Sequence, residues 1–126
     1  MTTAMTTQQI AEAYGAAWNE TDESKRRALL EQAWADGGVY TDPQSHVEGR
    51  EALLGLIAAF QQQAAGARIV ATSGIDAHHG KLRFTWKMAG ADGNTIIEGI
   101  DFGELAPDGR IQRIVGFFGS PPPVSS

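Results

Sequence analysis

The sequence predicts an α+β fold, with helices first and an antiparallel sheet after them. Three observations predict it. Apolar residues recur at helical spacing from Ile10 to Phe60. From Leu82 to Met88 apolar and polar residues alternate with the period of a strand. Turn-forming pairs such as Asp92-Gly93 and Asp108-Gly109 then separate the strand-like runs at short intervals. Helices followed by a meander place the helices on one face of a single sheet.

The first helix begins at a capping box, Thr6 with Gln9, because a threonine and a glutamine three residues apart can satisfy each other's free backbone donors. Ile10, Ala13, Tyr14, Ala17 and Trp18 form its apolar stripe. Thr21 or Asp22 can cap a second helix, which presents Leu29, Leu30, Ala33 and Trp34 and stops at Asp36-Gly37-Gly38. Val39-Tyr40-Thr41 reads as a short strand ended by Asp42-Pro43, since the residue before a proline avoids the helical region. A loop through Ser45, His46 and Gly49 leads to a third helix whose buried face is Leu53, Leu54, Ile57 and Phe60.

The strands follow. Ile69 to Ala77 is the first, turning at His78-His79-Gly80. Leu82, Phe84, Trp86 and Met88 alternate with Lys81, Arg83, Thr85 and Lys87 on the second. The third, Thr95 to Leu105, carries Ile97, Gly99, Asp101, Gly103 and Leu105 on one face, and Ile96, Glu98, Ile100 and Phe102 on the other. The last runs from Ile111 to Phe118. The helices cover one side of the sheet, so the apolar groups on the other predict a homodimer through the sheet face.

A chain of 126 residues, 42% hydrophobic and 20% charged, suits one domain, taken as residues 1–120 with an unstructured proline-rich tail over 121–126. The absence of cysteine excludes disulfides, thiolate nucleophiles and cysteine-bound zinc. A net charge of −5 without a basic stripe argues against nucleic acid. The one basic run, Lys25-Arg26-Arg27, reads as a solvated helix face. No apolar run reaches the ~20 residues of a membrane span. Met1 to Met5 lacks the pattern of a signal peptide, so the expected location is cytoplasmic.

Three polar side chains stand where apolar ones are expected. Tyr14 lies on the buried stripe of the first helix, Asp42 ends a strand, and Asp101 shares a strand face with Ile97 and Leu105. Taken alone, Tyr14 reads as a core tyrosine and Asp42 as a turn former. Asp101 is harder to dismiss, because a buried carboxyl must be paired, hydrogen-bonded or protonated. Only a one-residue slip of register would turn it outward. Of the histidines, His46 reads as an exposed loop residue, and His78-His79 as turn residues pointing apart, a poor metal site.

Tyr40-Thr41-Asp42-Pro43, followed by Gly49-Arg50-Glu51-Ala52-Leu53, resembles the nuclear transport factor 2-like superfamily, in particular its polyketide-cyclase-like (SnoaL-like) and ketosteroid isomerase branches. The likeness extends through Trp34-Ala35-Asp36, Glu98-Gly99-Ile100-Asp101-Phe102, Asp108-Gly109-Arg110-Ile111 and Phe117-Phe118-Gly119. It implies a cone-shaped curved antiparallel sheet packed on three N-terminal helices, holding an apolar small-molecule ligand without a cofactor or metal. By resemblance, Asp42 takes the place of the catalytic base, while Tyr14 and a protonated Asp101 take those of the two oxyanion donors. Where the isomerases carry a further, supporting tyrosine this chain has Ile57. The expected pocket walls are Trp18, Trp34, Tyr40, Phe60, Phe84, Trp86 and Phe117. The implied activity is a cofactor-independent isomerase or cyclase acting on an apolar carbonyl compound. The alternative is a ligand-binding or dimerisation module of the same fold without chemistry.

Overall fold

The structure, a computed structural model, describes residues 5–124. The start of the N-terminal stretch read for a signal peptide, and the final Ser125-Ser126 of the tail, lie outside the described residues. Within them, Pro121 to Val124 carries no regular secondary structure.

Helix α1 spans Thr7–Asn19, α2 Glu23–Ala33 and α3 Arg50–Gln63. The Thr6–Gln9 capping box forms in full, and Asp22 caps α2 by accepting from the Lys25 backbone N–H. The strands are β1 Trp34–Asp42, β2 Ser45–Glu48, β3 Arg68–Ala71, β4 Asp76–His78, β5 Lys81–Ala89, β6 Thr95–Leu105 and β7 Ile111–Phe118. They make one seven-stranded sheet in the order β2-β1-β7-β6-β5-β3, with β4 also on β5. Tyr14, Leu30, Trp34, Leu53, Ile57, Ile111 and Ile114 belong to the core between helices and sheet. No described helix is long and apolar enough to cross a membrane.

Several expectations need correction. The sheet is mixed: β1 runs parallel to β7, and the other pairings are antiparallel. Strand β1 is longer than Val39–Thr41 and takes in Trp34-Ala35-Asp36, so α2 stops at Ala33. The strand passes through Gly37, whose φ of 73° suits glycine, and its register against β7 shifts between Trp34 and Val39. The expected loop from Ser45 contains β2, a hairpin partner of β1. The expected strand Ile69–Ala77 is two short strands, β3 and β4, that pair with opposite ends of β5.

Arg26 is not part of a solvated face. It is 6% exposed, donating to the Glu20 carbonyl at 2.9 Å and to Gln61 Oε1 at 2.6 Å. It therefore ties the α1–α2 turn to α3. At the other end of that turn, the Asn19 amide bonds both the N–H and the C=O of Ile69 at 2.8 Å, fixing α1 to β3.

Candidate active site

Residues directly opposite one another in neighbouring strands share a face. Phe84 pairs with Asp101, and Asp101 pairs with Gly116, so all three face the helices. Tyr40 pairs with Ile114, and Asp42, two residues further along β1, shares its face. The alternation of β6 thus turns Asp101 inward, as its sequence predicts, at 6% exposure.

Gly116 lies between the two acids. A Cβ built there would stand 2.8 Å from Asp101 Oδ1 and 3.6 Å from Asp42 Cβ. Strands β1 and β6 flank β7, and the missing side chain on β7 leaves room for the Asp101 carboxyl on one side, with the Asp42 Cβ at ordinary contact distance on the other. Tyr14 completes the group from α1. It is 2% exposed and stacks on Trp34 with ring centroids 5.7 Å apart.

Each acid is held by an aromatic donor. The Tyr40 hydroxyl donates to Asp42 Oδ2 at 2.6 Å, and the Gln44 backbone N–H donates to Oδ1 at 2.8 Å. Trp86 Nε1 donates to Asp101 Oδ1 at 3.0 Å. Trp86 can lie there because Gly99 has no side chain: a Cβ at that position would overlap the indole.

Burial dominates the electrostatics. The Asp101 carboxyl is pushed up to about 6, mainly by desolvation; the Trp86 hydrogen bond opposes the rise and the charge of Asp42 adds to it. The Tyr14 hydroxyl is raised well above the usual phenol value, by burial first and then by Asp101, with Trp18 opposing and Asp42 adding a smaller push. Tyr40 is raised as well, by burial, then Tyr14, then the hydrogen bond to Asp42. At neutral pH both phenols keep their protons and stand beside two acids of different burial.

The structure therefore brings Tyr14, Asp42 and Asp101 into one electrostatically coupled group. Trp18 lies against Tyr40 and Phe60 at ring centroid distances of 5.5 and 5.6 Å, so the buried Tyr40 and the half-buried Trp18 and Phe60 form an aromatic cluster beside it. Phe84 and Trp86 share the inner face. Trp34 is fully buried behind Tyr14 and supports the tyrosine from below. Phe117 is misplaced in the sequence reading. It pairs with Ile100, is 54% exposed, and meets Phe102 on the outer face. Phe118 takes the inner position, edge-on to Trp86 at 5.7 Å.

His46 pairs with Thr41 and so lies on the face opposite Asp42, with Nδ1 2.8 Å from the Thr41 hydroxyl. The rings of His78 and His79 do not point apart: their Nδ1 atoms approach to 3.2 Å on the exposed β4–β5 turn. No group of three or more His, Asp or Glu placed to hold a metal occurs among the described residues. The sequence reading missed Gly116 and the donor roles of Tyr40 and Trp86. The i, i+2 spacing of Tyr40 and Asp42 on one strand was the available signal for the first of these pairs.

No family model matches the chain, and neither does any curated protein. Solved structures do match. A protein of the SnoaL-like family from Agrobacterium tumefaciens strain C58, whose name proposes isomerase activity, is 38% identical over 92% of this chain and 100% of its own, with a TM-score of 0.85. An NTF2-like protein of unknown function from Cytophaga hutchinsonii shares the fold at 16% identity, covering 94% of this chain and 95% of its own, with a TM-score of 0.72. A SnoaL-like protein of unknown function from Burkholderia thailandensis does so at 16% identity, 90% and 95% coverage and a TM-score of 0.70. With more than a third of its residues identical to the Agrobacterium protein along nearly its whole length, this chain belongs to the SnoaL-like family of nuclear transport factor 2-like proteins.

Proposed function

We propose that this chain is a cofactor-independent isomerase or cyclase of the ketosteroid-isomerase type, acting on an apolar carbonyl compound. Asp42, ionised, takes a proton from the carbon next to the carbonyl. The electron pair left behind moves onto the carbonyl oxygen as an enolate. Tyr14 donates a hydrogen bond to that oxygen, joined by Asp101 in its protonated form. The Asp101 carboxyl, at about 6, supplies that form only in part at neutral pH, and a ligand that displaces water from it favours it further. Asp42 returns the proton to a different carbon as the double bond moves. Two donors aimed at a developing oxyanion are each worth roughly 3 kcal/mol of barrier. The carrying observation is the approach of Asp42 and Asp101 to the same side-chain-free point at Gly116. The name of the Agrobacterium relative supports the same reaction class.

The test is proton exchange into a cyclic enone, followed by NMR in deuterated buffer, with wild type and Asp42→Asn. The expected result is exchange in wild type and a loss of at least ~100-fold in the variant. Equal rates remove Asp42 as the base.

A second reading, a binding module without chemistry, draws on the two hydrogen bonds that Asp42 accepts within its own hairpin, which would equally suit a structural turn. A phenol that mimics the enolate separates the readings: tight binding by wild type that is lost in Tyr14→Phe supports the catalytic one.

We propose in addition that two copies associate through the outer sheet face, where Phe102 and Phe117 are 42% and 54% exposed.

A further inference from the structure

Two charged side chains are buried among the described residues, Asp101 at the candidate active site and Arg26 on α2. Arg26 has no carboxylate within 4.0 Å among the described residues. Its Nε–H donates to the Glu20 carbonyl at 2.9 Å. Nη2 donates to Gln61 Oε1 at 2.6 Å and to the Thr21 carbonyl at 3.4 Å. All three acceptors are neutral, so the buried cation keeps an uncompensated charge. Nη1 bonds none of the described residues, yet it is not sealed from solvent. Two N–H donors are therefore free on an accessible nitrogen of a buried guanidinium.

Arg26 lines a groove of about 570 Å³ between α2 and α3, within the size range of small-molecule sites. Thr21 and Gln61 flank the guanidinium, and Leu54, Gly55 and Ala58 of α3 continue the wall. Gly55 stands inside the helix, where glycine is disfavoured relative to alanine. A Cβ built there meets nothing within 4 Å, so no neighbour requires the glycine, and the missing side chain keeps the groove open. Arg27 also lines the groove, pairing with Glu51 and reaching Glu23 at 3.7 Å. Both glutamates are exposed and share that arginine, so solvent and Arg27 screen them. Glu51 stands ten residues before Gln61 on α3, about 15 Å along the helix axis. The groove shares no residue with the group of Tyr14, Asp42 and Asp101.

We propose that this groove is a second binding site, for a small monocarboxylate with a short apolar chain. The carboxylate accepts from Arg26 Nη1 and supplies the counter-charge that the fold leaves out. Charge-assisted bonds from a guanidinium to a carboxylate are stronger than bonds between neutral groups. The apolar chain lies along Leu54, Gly55 and Ala58. Glu23 and Glu51 on the same groove disfavour a second negative charge on the ligand, so dicarboxylates and phosphate esters fit less well.

NMR titration of the isotopically labelled full chain at neutral pH compares hexanoate with hexanamide, which has the same chain without the charge. Hexanoate should shift the backbone amides of Gly55, Ala58 and Gln61 with a Kd of about 1 mM, and hexanamide should bind at least ~10-fold more weakly. Gly55→Leu puts a side chain into the groove and, as a helix former replacing glycine, should keep the fold. It should weaken hexanoate at least ~10-fold. Arg26→Gln should abolish the preference for the carboxylate. Equal affinity of wild type for the two probes overturns the proposal. So does undiminished hexanoate binding by Gly55→Leu, and so do shifts confined to residues around Asp101 or no shifts at all up to about 20 mM. If Arg26→Gln does not fold, wild type and Gly55→Leu decide the matter.

Discussion

Trp86 donates to Asp101 from the neighbouring strand, with Nε1 3.0 Å from Oδ1 and the indole lying over Gly99. Sequence, packing and electrostatics meet in this contact. Trp86 pairs directly with Gly99, so the ring can lean across the ladder toward the residue two places on. The hydrogen bond favours the ionised acid, against a burial that favours the neutral one. Trp86→Phe removes the donor and keeps the ring. The expected outcome is a further rise of the Asp101 carboxyl above about 6, read by NMR titration of its side-chain carbon. Stability should fall by about 1–2 kcal/mol in denaturant melts, because a buried acceptor loses its partner.

The raised Asp101 also sets a pH dependence. Its carboxyl moves from 3.8 to about 6 on folding, so between these values the native state holds a proton that the unfolded chain has lost. Stability then falls as pH rises through this window. At about 1.4 kcal/mol per pH unit the full effect is about 3 kcal/mol. Asp101→Asn keeps an oxygen for Trp86 and cannot ionise. Relative to wild type, the variant should gain stability steadily from pH 4 to pH 7 and change little beyond. Parallel wild-type and variant melting curves across that range would contradict the assigned burial of the acid.

Much of this site was legible in the sequence, and the parts that were not have physical reasons. The alternation of Leu82, Phe84, Trp86 and Met88 fixed the face of β5, and the pattern around Asp101 fixed that of β6. Phe117 was misread because the parity of β7 changes along the strand. Leu105 pairs with Ile111 but Glu104 pairs with Arg113, so Gln112 is an extra residue. Beyond this bulge Ile114, Gly116 and Phe118 face inward, and Phe117 faces out. The parallel pairing of β1 with β7 joins segments about 75 residues apart, and no local pattern encodes such a contact. The two acids met only because that pairing formed, so their approach at Gly116 could not be read from either motif alone.

Gly116 offers a direct test of that approach. Gly116→Ala puts a methyl 2.8 Å from Asp101 Oδ1, closer than such contacts normally come, and the carboxyl must move. A loss of stability of about 1–3 kcal/mol is expected from overpacking, together with weaker phenol binding. Gly15→Ala is the matched control. Gly15 lies within α1 and an added Cβ meets nothing within 4 Å. It should stabilise the protein by up to about 1 kcal/mol through helix propensity. Thermal melts of both variants check the contrast, and a neutral Gly116→Ala would show that the floor between the acids is more open than these distances.

Tyr40 binds Asp42 within one strand, at 2.6 Å and 5% exposure. Tyr40→Phe leaves the ring against Trp18 and removes only the hydroxyl. Hydrogen bonds to a charged acceptor contribute about 1.5–3 kcal/mol. If Asp42 is the base, enone exchange should slow by roughly tenfold or more, chiefly in kcat, since the aromatic wall is unchanged. A change confined to KM would assign Tyr40 to substrate binding instead.

The outer face supplies the last prediction. Phe102 and Phe117 meet edge to face at 6.2 Å in open solvent, next to Ile100, the ladder partner of Phe117. Glu98, Glu104, Lys87 and Arg113 stand on that face too, so it carries both signs of charge around an apolar centre. A two-fold axis through such a face brings like patches together and can match opposite charges at the rim. Sedimentation of the purified 13.4 kDa chain should therefore give twice the monomer mass. Phe117→Glu places a carboxylate in the centre of the patch and should yield monomers, whereas Gln32→Glu on the exposed side of α2 should not. Because Phe117 points away from Asp42 and Asp101, the monomeric variant should still bind a neutral phenol. Loss of that binding together with the dimer would mean that the site depends on the partner copy.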